Sequence, residues 1–422
     1  MYFLLTTLGC KVNQYESGVI SAEMKKHGFS LAPDAESADI FILNSCTVTE
    51  NSDRKARRLI NSAKSKKPGI ITVLTGCFPQ AFPDAARVLG ADIICGTGER
   101  KTLPLLIDVF IREHREVERI KPCPDVYEDF TEFNTNSDKT RAFIKIQDGC
   151  DNNCAYCVIP RARGKPRSRP LESVRAEALA AVDSGHKEIV LTGINLTKYF
   201  DLCGAVNAVS EYAERVRLSS VEPDLLGDSL LERLSLEKKL CPHFHMSLQS
   251  GSDGVLKRMG RRYTAREYYE RVLKIRSLFK GSNEISFTTD IIVGFPGETD
   301  EEFNESLEFV QKTNFSKIHV FPFSARPGTP AASMLNQVPD CVKNERRGKM
   351  LKAADELRRC FLAAQAGGVL SVLVEKRTSP GEVFGHARNY APVKILSENA
   401  MRNEILNVKI IEAGNGVCIG CT

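Results

Sequence analysis

Nowhere in the 422 residues does an apolar run approach the roughly 20 that a membrane-crossing helix needs, so no membrane partner is expected. The opening MYFLLTTLGCKVNQ has no basic residue ahead of its short apolar stretch. It is expected to be a first strand, not an export signal, which makes the cytoplasm the expected compartment. Cysteine is too sparse for a disulfide scaffold: 14 residues in 422, far below the roughly 8% such scaffolds use. Tryptophan is absent. There is no low-complexity tract and no short repeat, which excludes disordered and solenoid chains. No Ser–His–Asp set stands out, and the seven His show no paired metal spacing. Charge of either sign is close to balance, with 58 Lys plus Arg against 53 Asp plus Glu and a net +5. The total therefore does not by itself point to nucleic acid; only its distribution could.

What is present is an α/β rhythm. In residues 1–112, strand-like Tyr2–Thr6, Asp39–Asn44, Ile70–Thr75 and Asp92–Cys95 alternate with helix-like 13–28, 50–66 and 81–89. That order implies a doubly wound parallel sheet with helices on both faces. Residues 113–138 carry five acids and no base between Asp125 and Asp138, and are expected to be an exposed linker. From 139 to 366 six more strand candidates alternate with helices: Phe143–Gln147, Glu188–Thr192, Arg215–Ser220, Phe244–Leu248, Ile285–Asp290 and Lys317–Phe321. Six βα units predict a partial (β/α)6 barrel, with its chemistry at the C-terminal strand ends. A base-rich helix closes that unit. Residues 367–422 then alternate in strand fashion, enough for a small β-barrel.

Cysteines mark two places in this frame. Three strands of the first unit run straight into Cys10, Cys46 and Cys77, spaced 36 and 31 residues apart. Parallel strands end on one edge, so these three should converge there. From spacing alone they fit buried, inert thiols as well as a metal site. The second place is Cys150-Asp-Asn-Asn-Cys154-Ala-Tyr-Cys157. Structural zinc wants four ligands, and a fourth is not nearby, so zinc would have to borrow a distant one. Three thiolates can instead hold a [4Fe–4S] cluster and leave one iron open to a small molecule. This CxxxCxxC is the radical S-adenosylmethionine signature. Cys418 and Cys421 have redox-motif spacing but no βαβ setting, and Cys95 is expected to be core.

With that motif the sequence resembles the radical S-adenosylmethionine methylthiotransferases over nearly its whole length. The matching stretches include LGCKVNQYES, ILNSCTVTENSDRKARR, KIQDGCDNNCAYCVIPRARGKPRSRP, HFHMSLQSGSDGVLKRMGRRY and TDIIVGFPGET. LGCKVNQYES and IPRARGKPRSR most resemble the branch acting on threonylcarbamoyl-adenosine at position 37 of tRNA, beside the anticodon. The resemblance implies two [4Fe–4S] clusters. One, on Cys150, Cys154 and Cys157, would bind and reductively cleave S-adenosylmethionine. The other, on Cys10, Cys46 and Cys77, would carry the sulfur that is methylated and transferred. A low-potential electron donor is implied as a partner, and the tail resembles a TRAM domain, a small RNA-binding β-barrel. The strand-end residues Thr192, Gly193, Asn195, Glu222, Gln249 and Asp290 are candidates for the S-adenosylmethionine pocket. Arg161, Arg163, Lys165, Arg167 and Arg169 follow the cluster loop directly and are candidates for tRNA contacts. Methylthiolation of isopentenyl-adenosine tRNA or of a ribosomal-protein aspartate are alternatives within the family. A non-catalytic, metal-containing RNA-binding protein is the alternative of another class.

Overall fold

A computed structural model describes residues 1–130, 139–279 and 285–422. The first unit runs β1 (Tyr2–Thr7), α1 (Lys11–Lys26), β2 (Ser30–Leu31), β3 (Ile40–Ser45), α2 (Glu50–Lys66) and β4 (Ile71–Gly76). It continues through α3 (Cys77–Ala81), α4 (Pro83–Arg87), β5 (Ile93–Cys95), α5 (Leu103–Glu113) and β6 (Val117–Arg119). The six strands are all parallel, in the order β2-β1-β3-β4-β5-β6. Alternate side chains of β3 serve opposite cores. Ile40 and Ile42 pack with Ile20 of α1 and Leu106 of α5, whereas Phe41 and Leu43 pack with Ala56 and Ile60 of α2. Helices therefore cover both faces, which is the doubly wound arrangement expected.

The expected linker needs correcting. Val117–Arg119 adds a sixth strand beside β5, so the first unit continues past residue 112. Tyr127 and Phe130 are buried, and Tyr127 Oη donates to Lys145 O at 2.7 Å. Two of the acids that made this stretch look solvated have partners elsewhere: Glu128 pairs with Arg100, and Asp129 with Arg169. The rest of the proposed linker, 131–138, lies outside the described residues.

The central unit contains β7 (Arg141–Lys145), β8 (Gln147–Asp148), α6 (Ile159–Arg163), β9 (Arg167–Ser168), α7 (Leu171–Asp183) and β10 (Glu188–Thr192). Then come α8 (Leu202–Ser210), β11 (Arg215–Leu218), β12 (Ser220–Val221), α9 (Asp228–Ser235), β13 (His243–Met246), α10 (Asp253–Arg258) and α11 (Ala265–Leu278). It ends with β14 (Ser286–Val293), α12 (Asp300–Thr313), β15 (Lys317–Pro322), α13 (Pro330–Ser333) and α14 (Asp340–Ala363). Strands β7, β10 and β11 pair in parallel, as do β12 to β15. The third expected strand is thus divided at Ser219 between two sheets, and a bridge from Val216 to Leu240 joins them. This is the expected six-position partial barrel, open between β7 and β15.

Five strands, β16 (Val369–Ser379), β17 (Glu382–Ala387), β18 (Pro392–Leu396), β19 (Ile405–Gly414) and β20 (Val417–Cys421), close the C-terminal barrel. It sits on the N-terminal ends of the central strands. Arg215 donates to Ser371 Oγ at 2.8 Å, and Ser286 donates to Asn389 O at 2.5 Å. Cys95 and Cys418 are buried core residues.

Candidate active site

Strands β1 and β3 are neighbours from which the chain departs in opposite directions, so a crevice opens beyond their C-terminal ends. Cys10 follows β1, Cys46 follows β3, and Cys77 opens α3 directly after β4. Gly9 and Gly76 turn the chain there with φ of 107° and 98°. A Cβ on Gly9 would come within 3.1 Å of Cys46 Sγ, and one on Gly76 within 2.6 Å of Ser45 O. Glycine is required at both turns for the thiols to close up. Asn13 of α1 fixes the centre of the group. Its Nδ2 donates to Leu8 O at 2.8 Å and Ser45 O at 3.0 Å. Its Oδ1 lies 3.9 Å from Cys10 Sγ and 3.8 Å from Cys77 Sγ, so two of the sulfurs flank one amide oxygen.

Cys150, Cys154 and Cys157 occupy the loop between β8 and α6, and each sulfur faces an N–H. Asn152 N–H donates to Cys150 Sγ at 3.4 Å, and Ile159 N–H to Cys157 Sγ at 3.5 Å. Arg261 Nη1 donates to Cys154 Sγ at 3.4 Å. Beside Cys150 lies the amide of Asn195, whose Nδ2 is buried without a partner among the described residues. N–H donors aimed at sulfur are what iron-bound thiolates use, so the loop fits a cluster. Burial pushes the Cys77 and Cys157 thiols up to about 12, so ligation has to displace their protons. Among the described residues no three His, Cys, Asp or Glu converge on the point a single ion would occupy. A four-iron cluster takes each thiolate on a different iron and needs no such point.

Arg163 ties the helix that follows the second cysteine set to Cys77 of the first. It ends α6, which starts just after Cys157, and its side chain is fully buried. Its Nε donates to Cys77 Sγ at 3.4 Å, its Nη2 to Asn13 Oδ1 at 2.7 Å and its Nη1 to Glu16 at 2.6 Å. Glu16 also receives Arg100 and Lys145, each at 2.7 Å. Asp148 takes Lys145 at 2.6 Å and Arg163 at 3.2 Å. Burial alone would raise the Glu16 carboxyl, but Arg100, Arg163 and Lys145 reverse this and hold it down at about 2. The network locks the first unit to the barrel beside Cys77. A cavity of about 210 Å³ opens beside it. Val48 and Thr49, just past Cys46, form one wall; Cys157, Ile159, Gln249, Asp290 and Phe321 belong to the other.

Comparison with known proteins identifies the arrangement. Residues 144–310 match the Radical SAM superfamily, and residues 2–96 match the family described as Uncharacterized protein family UPF0004. Threonylcarbamoyladenosine tRNA methylthiotransferase MtaB of Bacillus subtilis is 38% identical, covering 97% of this chain and 93% of that protein. Its namesake from Thermotoga maritima is 40% identical over 92% of this chain and 89% of its own. The tRNA-2-methylthio-N(6)-dimethylallyladenosine synthase of Clostridium botulinum strain Langeland is 34% identical, covering 98% and 95%. The chain belongs to the radical S-adenosylmethionine methylthiotransferases. Its fold is also that of the radical S-adenosylmethionine methyltransferase TsrM from Kitasatospora setae, at TM-score 0.58 and 15% identity, covering 78% of this chain and 74% of that one.

In this methylthiotransferase the expected pocket residues separate into groups. Gln249 and Asp290 line the cavity with Cys157. Asn195 stands beside Cys150. Glu222 is ion-paired through Oε2 to Arg261, which also reaches Cys154. Thr192 is buried at the end of β10, and Gly193 packs on Gln147, whose Cβ a side chain there would meet at 2.9 Å.

The expected arginine contacts with tRNA need correcting. Arg163, Arg167 and Arg169 are buried. Arg163 serves Glu16 and Asp148, Arg167 reaches Asp148 at 3.4 Å, and Arg169 pairs with Glu177 and Asp129. Only Arg161 and Lys165 of the five are exposed. The carboxylates that recruit the others are scattered over α1 (Glu16), the loop before β7 (Asp129), β8 (Asp148) and α7 (Glu177), so a local run of bases looked free when it was not. Asn13 and Glu16 were missed for a related reason. The signal was there, since a helix face bearing Asn13, Glu16 and Ser17 is polar where an apolar face belongs.

Proposed function

We propose that this methylthiotransferase places a methylthio group on C2 of N6-threonylcarbamoyladenosine at position 37, next to the tRNA anticodon. It would use one [4Fe–4S] cluster on Cys150, Cys154 and Cys157 and an auxiliary, sulfur-carrying one on Cys10, Cys46 and Cys77. The observation that carries this is one cavity with Cys157 on one wall and Val48 and Thr49, just past Cys46, on the other, together with the Arg163 contact to Cys77. When bound, the clusters and S-adenosylmethionine supply the one-electron chemistry, the sulfur and the methyl group.

The chain's own part is position and exclusion of water. N–H groups of Asn152 and Ile159 and the guanidinium of Arg261 fix the barrel sulfurs. Val48, Ile159, Ile292 and Phe323 give the cavity apolar walls suited to the faces of a base. An adjoining groove shares Thr49 and Phe321 with the cavity and carries the exposed Arg54 and Arg347, which suits phosphates flanking the inserted nucleotide. An anticodon-loop base is already unpaired, so extruding it costs no more than a few kcal/mol. A low-potential donor must deliver electrons, and the cytoplasm is where tRNA and such a donor meet.

Nucleoside mass spectrometry of tRNA from cells with and without the gene tests this reading. Loss of 2-methylthio-N6-threonylcarbamoyladenosine is expected on deletion. An unchanged level, or loss of a dimethylallyl derivative instead, overturns it.

A further inference from the structure

The inward faces of the central strands carry many polar side chains among a few apolar ones, and the cluster sites use few of them. Outward positions such as Ile144, Leu191, Phe244 and Ile291 belong to the helix-packed core. The alternate positions bring charge and imidazole into the lumen. At the floor, next to the C-terminal barrel, Glu188 takes Arg217 at 2.7 Å, Arg141 at 3.2 Å and Arg215 at 3.6 Å. Three guanidinium groups share one carboxylate there. Higher up, His245 meets Thr288 Oγ1 at 2.9 Å and Asp290 Oδ2 at 3.4 Å, and its ring lies 6.2 Å from that of His319. Asp290 is also a wall of the cavity, so the histidine pair begins where the cavity ends.

Lys11 enters from the other side. It follows Cys10 at the start of α1 and lies within electrostatic reach of Cys10, Arg141, Glu188, Arg217, His243 and His319. Among the described residues its ammonium makes no hydrogen bond or ion pair. The one carboxylate in that set, Glu188, already serves three guanidinium groups. A half-buried ammonium facing guanidinium and imidazole neighbours, with no carboxylate of its own, is stabilised when a further anion arrives.

We infer that the lumen is a carboxylate subsite, in which Lys11 and His319 receive the free carboxylate of the substituent on N6 of the substrate adenine. This rests on the proposed function above. C2 and N6 flank N1 on one edge of adenine, so a cavity that admits C2 also admits the N6 arm. A threonylcarbamoyl arm ends in a carboxylate, whereas a dimethylallyl arm carries no charge and gives the ammonium nothing. Lys11 and His319 are thus specificity residues, not catalytic ones. The methionyl carboxylate of S-adenosylmethionine has the same chemistry, and the test separates the two sources.

The test measures anaerobic binding of anticodon stem–loop RNA to the reconstituted full chain by fluorescence anisotropy. One RNA carries N6-threonylcarbamoyladenosine; the other carries its carboxamide. Wild type should bind the carboxylate form about tenfold or more tightly, the worth of one charged hydrogen bond. Lys11→Met should abolish the difference while leaving carboxamide affinity unchanged, and His319→Gln should reduce it. Where Lys11→Met lowers iron content through its neighbour Cys10, His319→Gln on β15 decides alone. Equal binding of both RNAs by wild type overturns the subsite, as does discrimination retained in the variants. A loss of S-adenosylmethionine affinity with RNA discrimination intact overturns it too, by assigning the lumen to the cofactor. Product formation on the threonylcarbamoyl RNA is scored separately: its absence in wild type refutes the proposed function, and where product forms, the binding ratio alone decides the subsite.

Discussion

Replacing Glu16 by Gln keeps the shape of the side chain and removes the charge on which Arg100, Lys145 and Arg163 converge at 2.6–2.7 Å. Holding a carboxyl at about 2 in place of its ordinary 4.5 is worth about 3 kcal/mol at neutral pH, at about 1.4 kcal/mol per tenfold change in proton affinity. Breaking a buried ion pair from one side costs about 3–5 kcal/mol by experience with other proteins, so the two figures agree. The carboxyl is lowered in the folded state. Its contribution is therefore complete above the unfolded value near 4.5 and drains away as pH falls towards 2. Urea titrations of cluster-free wild type and Glu16→Gln should thus differ by about 3 kcal/mol at pH 7, and the gap should narrow steadily below pH 4.5. Hydrogen exchange should place the loss at α1 and α6, the elements the network joins. Equal stability at pH 7 would refute the reasoning. A gap that stays constant with pH would show that packing, not charge, was lost.

Three further outcomes are expected. Alanine at Cys150, Cys154 and Cys157 together should abolish reductive cleavage of S-adenosylmethionine, while alanine at Cys10, Cys46 and Cys77 should spare cleavage and stop methylthio transfer; identical behaviour would deny the division of labour. Gly76→Ala forces a Cβ to 2.5–2.8 Å from Asn44 and the Ser45 backbone at a φ of +98°, a strain of about 1–3 kcal/mol or more. Iron analysis should then fall from about eight to about four per chain with cleavage retained. Arg163→Lys leaves Glu16 a cation but removes the Nε–H from Cys77 Sγ. Loss of a hydrogen bond to a ligand sulfur should lower the auxiliary potential, read by redox titration with electron paramagnetic resonance, and an unchanged potential would count against that contact.

Local pattern carried much of the fold. Alternation in Ile40–Leu43 and the Gly–Cys endings after β1 and β4 are short-range facts, and the sheet obeys them. The convergence of Cys10, Cys46 and Cys77 was legible for the same reason, since a cysteine at a strand end needs only the parallel-sheet rule to find its neighbours. What stayed hidden depends on long-range pairing. Arg163 looked like a phosphate contact because Glu16 lies on a helix of the other unit. Tyr127 and Phe130 looked like linker because burial, not periodicity, anchors them.

The lumen falls between these cases, and its physics explains why it is polar. A closed eight-stranded barrel fills its interior with layers of branched side chains. Six strands leave a gap between β7 and β15. Water or a ligand can enter there, and His245, His319 and Asp290 accordingly keep part of their surface accessible. His-Phe-His-Met and Lys-Ile-His-Val-Phe already show the alternation, with imidazole on one face and apolar carbon on the other. A strand of an open barrel written this way keeps its apolar face for the helices and turns its polar face to whatever fills the opening. The inward arginines at the floor are engaged by Glu188 and the C-terminal barrel, so the imidazoles nearer the opening are the inward polar groups left to meet a substrate.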